Sequence, residues 1–491
     1  MSPRISRRSL IRSAVAASSA TIVGLDLQAR SRIAPAQAET GSFTSVRSLD
    51  GTLLFDEASR KAIAVDGSNL FHRIPAAVLK PGSAQDIRKI VQYANQQSLK
   101  VAIKGDGHSQ YGQTQTEGGI VIDSRTLSAV HAPATESVDA QPGAFWADVA
   151  TQTLANGLTP PVFPATCMAL TVGGTLSVGG IGNTSHHYGA QVDTVTELDV
   201  VTGDGRLVTC SPDSESELFN MMLAGLGQYG IIVRARIRLV PAPSHVMLHN
   251  LIYSDLDKYL VDQARMATDG RFDSQRGNMI RKKNGEWSFI IEFGKFFSPP
   301  DEPNLALLES GLRFDSATAQ VRMTYRDYLF RFEAQNAGFS SSKVPRLYIT
   351  MWIPASVTKD YLSNILALPP DLAGLPRVEE LERFSFYPLN TRRFTRPMFK
   401  VPNEDQAFAV WLFRSAPAGD QAALSAMMAS NRELLAKMTA VGGKRYSPYS
   451  GVMSPEQWAT HFGPDLWRRL SEAKKKFDPN HVLTPGAGIF A

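Results

Sequence analysis

The sequence predicts an α+β protein built from two domains, and three observations predict it. The chain has 491 residues, 43% of them hydrophobic and 20% charged, and at roughly 100–200 residues per domain that is length for two or three cores. From Phe71 to Pro243, short helical and strand patterns alternate with glycine-rich turns. From Ser244 to about Gly443 the glycine signature disappears while aromatics and arginines rise.

The N-terminal 38 residues stand apart. Ser6-Arg7-Arg8-Ser9-Leu10-Ile11-Arg12 precedes a mildly apolar run from Ser13 to Leu25 and then Ala36-Gln37-Ala38. A basic stretch, a short apolar segment and a small-x-small site describe an export signal, and the paired arginines point to the twin-arginine machinery as a partner. The apolar run is too short for a hydrocarbon core of ~30 Å at 1.5 Å per residue, so no stable membrane insertion is expected. The expected location is therefore periplasmic or secreted. Residues 1–38 hold six Arg and one Asp, so of 51 basic and 46 acidic residues 45 of each sign remain. A neutral mature chain offers no support for a phosphate-backbone surface, and no nucleic-acid partner is expected.

Two cysteines, Cys167 and Cys210, cannot by themselves build a metal site, and their spacing does not decide whether they are bonded. No metal centre is expected.

The elements follow in order. Ser83 can cap a helix whose Ile87, Ile90, Val91 and Ala94 repeat at helical spacing, with Asp86 three residues after the cap. Leu99, Val101 and Ile103 then alternate against polar neighbours as a strand. That strand runs into Lys104-Gly105-Asp106-Gly107-His108-Ser109, a turn whose glycines free backbone N–H groups to face an anion. A second stretch, Leu170 to Asn183, carries five glycines and suits close approach to a large flat or phosphorylated ligand. Val195–Val201, Gly203-Asp204-Gly205 and Arg206–Cys210 read as a hairpin, and a short helix is expected near Glu215–Met222. In the last strand Val233, Ala235, Ile237 and Leu239 face one way and Arg234, Arg236 and Arg238 the other. Pro241-Ala242-Pro243 closes the unit.

The ordered set GxGHS, LTVGGTLS, YGxQ, ELDVVTGDG and GLGQYGIIxRARI ending in PAP resembles the FAD-binding domain of vanillyl-alcohol-oxidase-type (PCMH-type) flavoproteins, most of all cytokinin dehydrogenases. The likeness resumes at Lys444-Arg445-Tyr446, Trp458, His461-Phe462-Gly463 and Phe477-Asp478-Pro479 to Gly486. With the export signal at 1–38 set apart, the resemblance implies an FAD-binding domain at 39–243 with its core at about 68–243, a substrate domain of antiparallel sheet flanked by helices at 244–443, and a C-terminal segment at 444–491 returning to the FAD domain. It implies FAD bonded covalently through the ring of His108, the other reading of His108 being a turn residue held by local hydrogen bonds. Cofactor contacts implied with it are Lys104, Gly105, Asp106, Gly107, Ser109, Gln113, Thr166, Thr171, Gly174, Ser177, Ile181, Ile231, Tyr446 and Thr484. A second, cysteinyl bond is not expected, because Cys167 lies two positions before the Ala169 site where relatives carry it.

In the second half, Trp287–Phe293 resembles the strand bearing the family's substrate-side glutamate, which falls on Glu292. Glu292 is the best acid–base candidate, or a strand carboxylate paired with arginine; His186 and His187 come after it as candidates. Phe394 stands where the family stacks a tryptophan on substrate. Arg392, Arg393 and Arg396 read as a solvated surface, the alternative being a site for an anionic substrate. Thr166 stands where the family places a catalytic aspartate, and a hydroxyl cannot be a general base near neutral pH. Ala487 replaces a glutamine of the closing motif. The expectation is an exported FAD-dependent oxidoreductase that takes hydride from a C–H beside an amine or hydroxyl of a small-molecule substrate, with oxygen or a quinone as electron acceptor. The rivals are a sugar or alcohol oxidase, and a flavin-binding protein without catalysis.

Overall fold

The computed structural model describes residues 46, 48–282, 284–336, 344–367 and 382–490, so the expected export signal at 1–38 lies outside the described residues. The first half holds two four-stranded sheets. In one, Ala77–Lys80, Ile120–Asp123 and Val101–Lys104 run parallel, with Thr52–Leu54 antiparallel at the edge. Parallel strands are covered on both faces. The alternation around Val101 therefore marks no wet face: Val101 and Ala102 are both fully buried.

The helix Ala84–Gln97 lays Ile87, Ile90, Val91 and Ala94 on this sheet. Ser83 does start it, but its hydroxyl donates to Asp50, and the Asp86 carboxylate accepts from the backbone N–H groups of Asp50, Gly51 and Gly82 at 2.9, 2.7 and 2.9 Å. The acid ties the preceding chain to the helix and closes no capping box with Ser83.

The second sheet is antiparallel, in the order Ser137–Ala140, Gly230–Arg238, Val195–Thr202, Leu207–Cys210. Its apolar face buries Val138, Ala235 and Ile237. On the other face Arg234 reaches Asp139, Glu197 and Asp199 at 3.0, 2.6 and 2.6 Å. Burial works against charge on Asp139 and Asp199, yet the guanidinium hydrogen bonds outweigh it and hold both carboxyls below the usual range.

The second half is a nine-stranded antiparallel sheet whose central strands run Trp287–Phe297, Ser274–Arg281, Glu382–Asn390, Gln406–Leu412 and Ile349–Pro354. Helices Leu256–Met266, Thr358–Leu366 and Gln421–Ala440 pack on it around Phe289, Ile291, Phe384 and Phe386. One core crosses the halves, joining Trp146, Leu198 and Phe219 to Trp352, Tyr387, Leu389 and Trp458. The C-terminal chain then returns: Val101 N–H donates to Val482 O and Thr484 N–H to Val101 O, at 2.9 and 2.8 Å. The buried Asp478 fixes that return by accepting from Lys474 and from the N–H groups of Val482 and Leu483.

Candidate active site

A cleft runs between the glycine-rich turns of the first half and one face of the large sheet. The strand Val101–Lys104 delivers Gly105, Asp106, Gly107, His108 and Ser109 to its wall. His108 Nε2 lies 3.0 Å from Asp106 Oδ2, both side chains largely buried. Lys104, expected among the cofactor contacts, does not line the cleft. Its ammonium donates to Ile63 O at 3.0 Å and to Val65 O, and burial, opposed by Asp66, pushes it down to about 8. Its stem runs under the turn, where a Cβ on Gly107 would lie 2.5 Å from Lys104 Cε. The φ of +82° at Gly107 also asks for glycine.

The second glycine stretch is a helix, Val172–Val178, although its paired glycines speak against one. Most of its glycines answer to protein neighbours: a Cβ at Gly173 would meet Pro142 at 2.6 Å, at Gly179 the Phe399 ring at 2.1 Å, and at Gly182 Phe163 O at 2.0 Å. Gly174 and Thr171 line the cleft, with Thr166, Ser177, Ile181, Ile231, Tyr446 and Thr484. Tyr446 Oη accepts from Gly180 N–H at 3.2 Å, Thr484 Oγ1 donates to Gly227 O at 3.0 Å, and Gln113 Nε2 donates to Ser447 O at 2.8 Å. Cys167 also lines it, its thiol pushed up to about 11 by burial, while Cys210 is buried in the second sheet; both are free. Among the described residues no group of His, Cys, Asp and Glu could hold a metal ion.

The opposite wall is aromatic: Tyr348, Tyr387, Trp411, Phe413, Tyr446 and Tyr449. The sheet register builds it, since Ser385 lies directly opposite Trp411 and Tyr387 is two residues along the same face. Neighbouring rings sit 5.0 to 6.2 Å apart, from Tyr348–Phe413 to Tyr348–Tyr449. Trp411 Nε1 is buried without a hydrogen-bond partner among the described residues.

Four further candidates, Glu292, Phe394, His186 and His187, lie elsewhere. Glu292 lies beyond the cleft wall: in the register it sits opposite Arg276, on the strand that next pairs with the one carrying Tyr387. Its Oε1 is 3.2 Å from Arg276 Nε and 2.9 Å from Arg331 Nη2, so the arginine-paired alternative describes its surroundings. Phe394 stacks on Phe399, which in turn packs on Trp352 and Tyr446, one layer behind the wall. His186 and His187 direct Nε2 at Phe272 O, at 3.1 and 2.5 Å, and burial pushes His186 down to about 3. Arg392 pairs with Asp405 and Arg396 lies over Phe219; neither they nor Arg393 line the cleft.

Comparison with known proteins resolves the family. The FAD binding domain family matches residues 75–211, and the family "Cytokinin dehydrogenase 1, FAD and cytokinin binding" matches 271–490. An uncharacterized oxidoreductase of the fasciation locus of Rhodococcoides fascians is 35% identical over 438 residues, 88% of this chain and 97% of that protein. Cytokinin dehydrogenase 4 of Oryza sativa subsp. japonica is 32% identical over 492 residues, 90% of each. The chain belongs to the cytokinin dehydrogenase family. As a family member it is an FAD-dependent oxidoreductase. The crystal structure of 6-hydroxy-D-nicotine oxidase from Arthrobacter nicotinovorans superposes with a TM-score of 0.67, covering 89% of this chain and 97% of that one; at 20% identity it shows the shared fold.

The residues present fit FAD. Thr114 and Gln191 line the cleft, and Thr114 Oγ1 and Gln191 Oε1 are buried polar atoms without partners among the described residues; buried polar groups of that kind ask for a ligand or water. A Cβ at Gly105 would lie 2.1 Å from Thr171 Oγ1 and one at Gly227 2.9 Å from Thr484 Oγ1, so backbone alone forms that cradle. Sequence reasoning missed Trp411, Tyr387, Tyr348, Phe413 and Tyr449. The two-residue spacing of Ser385 with Tyr387 and of Trp411 with Phe413 was the available signal.

Proposed function

We propose that the protein oxidises a small, flat amine, a cytokinin or a compound of similar shape, onto flavin bonded through His108, and that it does so after export by the twin-arginine route. One observation carries the choice of amine. Among the described residues lining the cleft, Asp106 is the one carboxylate, and it is engaged with His108. The remaining thiol, Cys167, is held protonated by burial. An alcohol needs a base to take its O–H proton as hydride leaves, whereas an uncharged amine supplies its own lone pair to the carbon that loses hydride.

Bound FAD supplies the two-electron acceptor. The protein's residues hold and orient. The aromatic wall takes the substrate ring by stacking and excludes water, and Trp411 Nε1 offers a donor to a ring acceptor. Thr166, on the opposite side, offers a hydroxyl to the substrate N–H in place of a carboxylate. Glu292 acts at one remove, by holding Arg276 against Tyr387, whose hydroxyl burial keeps protonated. For export, Arg7-Arg8 and Ala36-Gln37-Ala38 support the reading, which requires mature protein beginning at Glu39.

The test is anaerobic titration with paired amines and alcohols of matched ring size. Bleaching of the flavin band by amines, with a pH profile that follows the substrate's own ionisation, is the expected result. Bleaching by alcohols or sugars alone would overturn the amine reading. No bleaching across the panel would favour a flavin-binding protein without catalysis.

A further inference from the structure

We infer that Asp106 is a positioning residue for covalent flavin attachment, selecting Nδ1 of His108 as the atom that bonds; the inference rests on the proposed His108–flavin bond. Gly107, at φ +82°, folds the turn so that residues 106 and 108 face the same side. Asp106 Oδ2 and His108 Nε2 then stand 3.0 Å apart, with 18% and 13% of their side chains exposed. A neutral imidazole carries a proton on one nitrogen and a lone pair on the other. A carboxylate at hydrogen-bond distance from Nε2 keeps the proton there, which puts the lone pair on Nδ1. The same pairing orients the ring, as carboxylates orient histidines that bind metals.

The step balances. The Nδ1 lone pair forms a bond to the 8α carbon of the flavin, and one methyl C–H bond breaks with its proton passing to solvent. The ring becomes cationic and keeps its Nε2 proton, which Asp106 continues to accept, so the ion pair persists in the attached form. The two electrons left on the flavin go to dioxygen, which with two protons becomes hydrogen peroxide. Asp106 is not consumed, so its effect falls on the rate and site of attachment and not on the final covalent product.

The experiment compares the full chains of wild type, Asp106→Asn and Asp106→Ala, each purified free of flavin from riboflavin-starved cells and then incubated in air with added FAD. At intervals, total bound flavin is read by absorbance and covalent flavin by fluorescence of the acid-precipitated chain. The expected result is that both variants hold FAD but attach it at least tenfold more slowly, and that formate speeds attachment in Asp106→Ala and not in wild type. Attachment at the wild-type rate in either variant overturns the inference, as does loss of all bound FAD in both, which would make Asp106 a cradle residue. A wild-type pellet without flavin overturns the His108 bond itself, a result separable from failure of the Asp106 role alone.

Discussion

Replacing Glu292 by Gln separates a structural carboxylate from a chemical one. In the native chain its carboxylate is 12% exposed and faces Arg276 and Arg331, themselves 6% and 13% exposed. Removing one member of a buried ion pair costs about 3–5 kcal/mol, because the remaining charge is left without compensation. Here two cations are left facing each other. Arg331 also rests on Tyr328 and Phe332 at 3.9 and 4.4 Å and Arg276 on Phe332 at 4.3 Å, contacts that the variant keeps, and the Gln carbonyl still accepts a hydrogen bond, which puts the loss at the low end of that range. A net destabilisation of about 3 kcal/mol remains, and at 2–4 °C per kcal/mol for a domain of about 200 residues the melting temperature falls by about 6–12 °C. Thermal melts followed by tryptophan and flavin fluorescence measure this, alongside kcat on the substrate that bleaches the flavin. Removal of a general base costs about 100- to 10,000-fold in rate, so a structural Glu292 predicts a kcat loss below tenfold. An unchanged melting temperature with kcat down a hundredfold would refute the reasoning and return Glu292 to the chemistry.

Acid should destabilise the protein from about pH 6. Burial pushes His186 and His461 down to about 3 from an ordinary 6.5, so between those values the unfolded chain binds more protons and stability is lost as pH falls. Each such histidine contributes up to about 1.4 kcal/mol per pH unit, and His461→Phe, packed between Trp458 and Phe462, should flatten the fall in urea midpoint between pH 6 and 4. Arg234→Met should leave Asp139, Glu197 and Asp199 facing one another; an expected loss of about 1–3 kcal/mol at pH 7 should shrink at pH 4 as carboxyls protonate, and an equal loss at both pH values would show a packing effect instead. Gly105→Ala places a methyl 2.1 Å from Thr171 Oγ1; flavin content per purified chain should fall severalfold, and full occupancy would mean the turn has room that the structure does not show.

The cofactor half was legible because its constraints fall on the backbone. Gly107 must have positive φ and Gly105 must leave space beside Thr171, and such demands write glycine directly into the sequence, next to the histidine they present. The reversal at Lys104 has the same origin: its ammonium turns to Ile63 O and Val65 O and away from the cleft, and spacing by itself does not say which side a ligand occupies. The helix at Val172–Val178 was hidden for a related reason, since Gly173 and Gly174 argue against a helix until close contact with Pro142 and Thr171 accounts for them.

The substrate half was less legible because its wall is assembled by register between strands far apart in the chain. Trp411 meets Ser385 only when Gln406–Leu412 pairs with Glu382–Asn390, and a shift of one residue would turn both side chains to the other face. At Glu292 the resemblance supplies a position and the structure supplies its partners. The matching strand is present, and its carboxylate sits in a row that ends at the cleft, opposite Arg276 with Tyr387 on the next strand over. Within that row the charge on Glu292 is met by two arginines before it can reach a substrate. With Thr166 in place of an aspartate on the other side, neither position that resembles a catalytic acid gives the described cleft a free carboxylate. On the proposed reading the chemistry depends on the substrate's own lone pair, and a substrate that lacks one should bind to the aromatic wall without bleaching the flavin.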